Sequence, residues 1–183
     1  MKIYDIDTLL KYLETQKNPK FIFFWSHLES KAGHKAVLSQ WYESKFEIDG
    51  VVYNSAEQYM MAQKAKLFGD TAIYKKILNA NSPAHAKALG REVRGFDEEI
   101  WALNRFNIVV EGNLAKFNQN VKLKEYLIST KNRILVEASP KDNIWGVGLD
   151  ERDYNITNPK KWRGLNLLGF ALMRVRDLIK GNE

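Results

Sequence analysis

The chain predicts an α+β fold, a single compact domain that is mostly helical with a small, mainly antiparallel sheet. Three observations carry that expectation. Helix-start and helix-stop signals recur from one end of the chain to the other. Few short runs read as strands. The strongest turn signal, Asp49-Gly50, folds two of those runs into a hairpin. At 183 residues, 45% hydrophobic and 12% aromatic, the chain can bury one real core, which excludes disordered and fibrous classes.

In chain order, residues 6–16 have the spacing of a short amphipathic helix. Phe21-Ile22-Phe23-Phe24-Trp25 is a dense apolar run, read as a buried strand. Residues 45–48 and 51–53 flank Asp49-Gly50 as hairpin arms. Ser55 with Gln58 three positions later predicts a capping box and a helix from Ala56 to about Phe68, stopped by Gly69. Asp70 precedes a helix near 71–79. Ser82-Pro83 starts another, ended by Gly90. Asp97 caps a long helix through Phe117, and Asn120 starts one that runs to Ser129. Arg133 to Glu137 reads as a strand, 138–164 as loop, and about 165–180 as the last helix.

Composition narrows the chemistry. Cysteine is absent, which removes disulfide scaffolds, thiolate metal sites and cysteine nucleophiles, and fits a reducing, cytoplasmic setting. No run reaches the ~18 apolar residues of a membrane span, and the chain does not open on a basic-then-apolar leader. His27, His34 and His85 have no ligand spacing, so no metal is expected; no cofactor is implied either. Walker, GxSxG and dinucleotide fingerprints are missing. Helix-turn-helix and RRM signatures are missing too, which disfavours a sequence-specific DNA reader. The net charge of +6 favours anionic partners, yet the basic residues are spread out, the densest group being Lys160, Lys161 and Arg163.

On the capped helix, Glu57 and Lys64 stand seven residues apart. They lie nearly over one another, separated by roughly 10.5 Å of rise. An acid and an amine on one face, among Tyr and Met, can act as an acid/base and nucleophile pair. The alternative reading is a favourable first-turn charge and a solvated lysine. Trp145-Gly146-Val147-Gly148, after Asp142, can present a flat ring and a close backbone to a ligand, or can be a tight turn with a core Trp. Trp101 reads as a core residue or a ligand platform. Arg91 and Arg94 are available to a phosphate or to Glu92 and Asp97.

Several segments in order carry a resemblance. Leu38-Ser39-Gln40-Trp41-Tyr42 precedes the hairpin. Ser55-Ala56-Glu57-Gln58-Tyr59-Met60-Met61-Ala62-Gln63-Lys64-Ala65 and Phe68-Gly69-Asp70 follow it. Then come Leu89-Gly90-Arg91, Trp101, Lys116-Phe117, the run from Leu135 to Pro140, Asp142, and the run from Trp145 to Leu149. Trp162-Arg163-Gly164-Leu165-Asn166-Leu167-Leu168-Gly169 and the run from Leu172 to Arg176 complete it. The set resembles the NADAR family, also called YbiA-like, over about residues 21–179. It implies an N-terminal helical extension over 1–20 and a NADAR domain over 21–183.

The resemblance implies an N-glycosidase, a hydrolase that cuts between ribose C1 and an exocyclic amine of a base. Implied substrates are small phosphorylated ribosylamines, as in riboflavin biosynthesis, with release of ribose 5-phosphate. The alternatives are ADP-ribosyl-guanine in nucleic acid and a non-catalytic NAD or ADP-ribose binding module. On this reading Lys64 is the nucleophile of a Schiff base and Glu57 the acid/base. In the rival mechanism Glu57 guides water and Lys64 stabilises charge. Trp101 and Trp145 stack on the base or wall the pocket, and Arg91 meets phosphate. Asp142 and Asn166 hold ribose hydroxyls or fix the loop that contains Gly146. The family often has Asn at the position of Gln40, so Gln40 is left outside the expected site. The long 150–163 segment matches the longer NADAR form rather than the compact YbiA form.

Overall fold

The structure, a computed structural model, describes residues 2–181, with the backbone alone at positions 31 and 32. Positions 182–183 of the expected 21–183 domain lie outside the described residues. The elements run α1 (Ile6–Thr15), β1 (Phe21–Phe24), α2 (Glu29–Ala32), β2 (Glu43–Ile48), β3 (Val51–Ser55), α3 (Ala56–Leu67), α4 (Thr71–Leu78), α5 (Pro83–Gly90), α6 (Glu98–Gln119), α7 (Val121–Ser129), β4 (Ile134–Glu137) and α8 (Leu167–Gly181). Short 3-10 turns cover Gly33–Leu38 and Pro159–Lys161. The chain divides into two units, residues 40–121 and residues 1–39 with 122–183.

The unit of residues 40–121 is built around α3. Asp49 (φ 51°) and Gly50 (φ 76°) both take the left-handed backbone that a two-residue hairpin turn requires. β2 and β3 therefore pair antiparallel, with a bulge between Glu43 and Phe46. β3 runs straight into α3, where Ser55 Oγ accepts from the Gln58 N–H at 3.1 Å. The reciprocal half of the expected capping box does not form. Gln58 Oε1 accepts from the Asn54 N–H at 2.7 Å, and Gln58 Nε2 donates to the carbonyls of Ile77 and Leu78. One buried amide thus ties the start of α3 to the end of α4. Every α3 residue from Ala56 to Ala62 is buried, as expected of a helix packed on several sides, here by α4, α5 and α6.

The other unit holds a parallel pair. β1 and β4 align Phe21 with Ile134 through Phe24 with Glu137. The sheet expectation therefore meets one antiparallel hairpin and one parallel pair. A tight turn is written locally, whereas β1 and β4 are far apart in sequence and no local signal reports their direction. Ile134, Leu135 and Val136 are all buried, as in a strand covered on both faces, and α8 packs against β4. The N-terminal helix belongs to this unit. Asp5 and Thr8 form a capping box, Leu9 is fully buried, and Tyr4 OH donates to Asp177 of α8 at 3.0 Å. α2 and the Gly33–Leu38 turn had no sequence signal. Leu28, at the N-cap of α2, offers no side-chain oxygen to cap it.

Candidate active site

Of the expected site residues, Lys64, Arg91 and Trp101 come together. Near the end of α3, half-buried Lys64 donates from Nζ to the Gly90 carbonyl, the last residue of α5, at 2.9 Å. The same nitrogen lies 4.0 Å from the centroid of the Phe96 ring and 5.9 Å from that of Trp101. Trp101, on the first turn of α6, is only 7% exposed, so its indole stands as a wall beside the amine. Arg91 follows the carbonyl that Lys64 holds, and it is exposed.

The surroundings ease the loss of the Lys64 proton. Burial among apolar groups lowers the Lys64 pKa; the Glu98 charge raises it and the Arg91 charge lowers it further. Glu98 is itself engaged by Arg105, one of whose guanidinium nitrogens lies 3.0 Å from the carboxylate. That pairing restrains the Glu98 anion, which favours the protonated form of Lys64. A neutral amine that donates one N–H to a fixed carbonyl keeps its lone pair for an electrophile.

Glu57 sits on the first turn of α3, only 2% exposed, with its N–H donating to the Gln40 carbonyl at 3.0 Å. The same unit buries further polar groups that were not among the expected site residues. Asn113 Nδ2 donates to Gln40 Oε1 at 2.7 Å and to the Val109 carbonyl. Lys116, one turn on along α6, has no exposed surface and lies 5.7 Å from the Tyr42 ring centroid. Burial lowers its pKa to about 7. The i, i+3 spacing of Asn113 and Lys116 was the available signal, hidden because two polar residues on a long helix usually face water. A separate cleft of about 310 Å³ opens at the β2 bulge and the starts of α3 and α5, lined in part by Lys45, Asn54 and Ser82; it contains none of the expected site residues.

In the other unit, Asp142, Trp145, Gly146 and Asn166 form one connected loop structure. Asp142 Oδ1 accepts from the N–H groups of Ile144 and Trp145 at 2.9 and 2.7 Å, and so turns the chain at the half-buried Trp145. The Gly146 carbonyl accepts from the Asn166 N–H at 3.1 Å. Gly146 is buried, and a Cβ there would stand 2.9 Å from both the Glu137 carbonyl and the Ser139 Cβ. The position takes glycine because the backbone approaches too closely for any other residue. Asn166 is fully buried at φ 55°. Its Oδ1 accepts from the Glu137 N–H and its Nδ2 donates to the Leu135 carbonyl, both at 3.0 Å. Of the two roles expected for Asp142 and Asn166, these contacts belong to fixing the loop.

The NADAR domain model matches residues 23–180. This chain belongs to the NADAR family. It is 44% identical over 163 residues to "N-glycosidase R617" of Acanthamoeba polyphaga mimivirus, covering 86% of this chain and 95% of the relative. It is 32% identical over 140 residues to "Riboflavin biosynthesis protein VVA0006" of Vibrio vulnificus, covering 76% of this chain and 34% of that longer protein. The solved structure of the Escherichia coli protein YbiA superposes with a TM-score of 0.73 at 24% identity, covering 91% of this chain and 89% of that one, and shares the α+β fold. Among the described residues no helix is long and apolar enough to cross a membrane, and no group of His, Cys, Asp and Glu could hold a metal ion.

Proposed function

We propose that this chain is an N-glycosidase in which Lys64 is the nucleophile and Glu57 the acid/base, acting on a small phosphorylated ribosylamine of the riboflavin-pathway kind. The observation that carries the reading is the Lys64 amine. It is oriented by the Gly90 carbonyl, walled by Trp101, and biased by burial toward the neutral form.

The ribosylamine opens to an imine between C1 and the exocyclic nitrogen. The Lys64 lone pair attacks C1. The bond from C1 to the exocyclic nitrogen breaks, and that nitrogen leaves as an amine after taking a proton from an acid, the role given to Glu57. Water then adds to C1 of the lysine iminium and expels the Lys64 amine. The net change is one water consumed, with one sugar aldehyde and one aromatic amine released. Arg91, exposed beside the Lys64 anchor, is available to a phosphate.

The test is incubation with a phosphorylated ribosylaminopyrimidine and, separately, with ADP-ribosyl-guanine, followed by chromatography of free sugar and base. The proposal expects release from the first, and a Glu57→Gln loss of 10²-fold or more, the usual order for a general acid. Binding of both without release from either would overturn it.

A further inference from the structure

Phe96 takes no part in the reaction just described, yet its position is unusual. It is a large apolar side chain left 42% exposed, on the loop that leads into α6. The Phe68 ring braces it at a centroid distance of 5.3 Å and an interplanar angle of 65°. The exposed ring is therefore held rather than loose, and it carries the Lys64 amine 4.0 Å from its centroid. Trp101, expected to stack on the base or wall the pocket, is buried beside the amine and has little free surface to give.

A π-face beside a reactive amine can be used in two ways that exclude each other. With the site empty, it seats the Lys64 cation, because the ring quadrupole attracts positive charge. With substrate present, the flat ring of an aminopyrimidine or aminopurine stacks on it. We infer that Phe96 is the specificity-determining platform for the aromatic half of the substrate, and that the incoming base and the Lys64 amine share its exposed ring. This rests on the assignment of Lys64 as nucleophile. It adds that the enzyme selects ribosylamines of aromatic bases over ribosylamines of aliphatic amines.

The experiment compares the wild type with Phe96→Leu, Phe96→Tyr and Lys64→Met. Turnover is measured on a phosphorylated ribosylaminopyrimidine. Affinity is measured by titration with the free aminopyrimidine and with ribose 5-phosphate. Phe96→Leu is expected to raise KM, and to weaken the free base, about 10-fold or more, as loss of a base–aromatic stack does. It should leave kcat within about 2-fold and ribose 5-phosphate affinity unchanged. Phe96→Tyr, which keeps the ring, should restore KM, and this separates stacking from a folding defect. Unchanged base affinity in Phe96→Leu would overturn the platform, even if Lys64→Met abolished turnover. Weakened base affinity with full turnover in Lys64→Met would keep the platform and overturn the nucleophile assignment.

Discussion

Replacing Lys116 with Met makes the sharpest quantitative prediction. The ammonium of Lys116 has no exposed surface, and burial brings its pKa to about 7. In the unfolded chain a lysine titrates near about 10.4. Between those values the unfolded state binds a proton that the folded state does not, so stability rises with pH. With these two values, the wild type gains about 2 kcal/mol relative to its own value between pH 7.5 and 9. Met fills nearly the same volume and carries no charge, so Lys116→Met lacks this slope. Urea denaturation of both proteins at pH 7.5, 8.25 and 9 reads the difference directly, because the other titrating groups are common to both. Parallel stability curves would refute the reasoning: Lys116 would then keep its proton in the fold.

Two further perturbations test the packing of the same unit. A Cβ at Gly112 would run into the Tyr59 ring, which forms an edge-to-face pair with Tyr53 at 5.0 Å; Gly112→Ala is expected to destabilise by about 1–3 kcal/mol in a denaturant melt. Arg94 donates to buried Asp70 from its backbone N–H and, at 3.0 and 2.9 Å, from its guanidinium, and this pairing holds the carboxyl well below the usual carboxylate range. That contribution is complete at neutral pH and is lost as pH falls below about 4 toward the folded-state pKa. Asp70→Asn should therefore be less stable than the wild type at pH 7, with the gap closing in acid unfolding curves below pH 4.

Most of the fold was legible because its signals are local. Ser55, Asp70, Ser82 and Asp97 each cap the helix their spacing predicts, and Asp49-Gly50 makes the hairpin. What local signals do not report is partners distant in sequence. The parallel match of β1 with β4 is one case. Gln58 is another, its amide serving Asn54, Ile77 and Leu78 rather than its own N-cap.

The site divides the same way. Lys64 could be chosen from its helix and its resemblance, but its bond to Gly90 and its seat on Phe96 depend on a loop about 30 residues further along the chain. Gln40 is left outside the expected site because the family often has Asn there, yet it meets the Glu57 backbone and the Asn113 amide at once. Asn166 was expected to hold ribose hydroxyls or fix the loop that contains Gly146, and only the strand it clamps shows why an amide is held there at a positive φ.

The assignment of Lys64 is tested most directly by reducing a reaction mixture with borohydride during turnover and mapping the modified peptide by mass spectrometry. The account predicts one sugar residue attached to the Lys64 side chain and none in Lys64→Met. Continued turnover with no adduct at Lys64, or an adduct on another lysine, would contradict it.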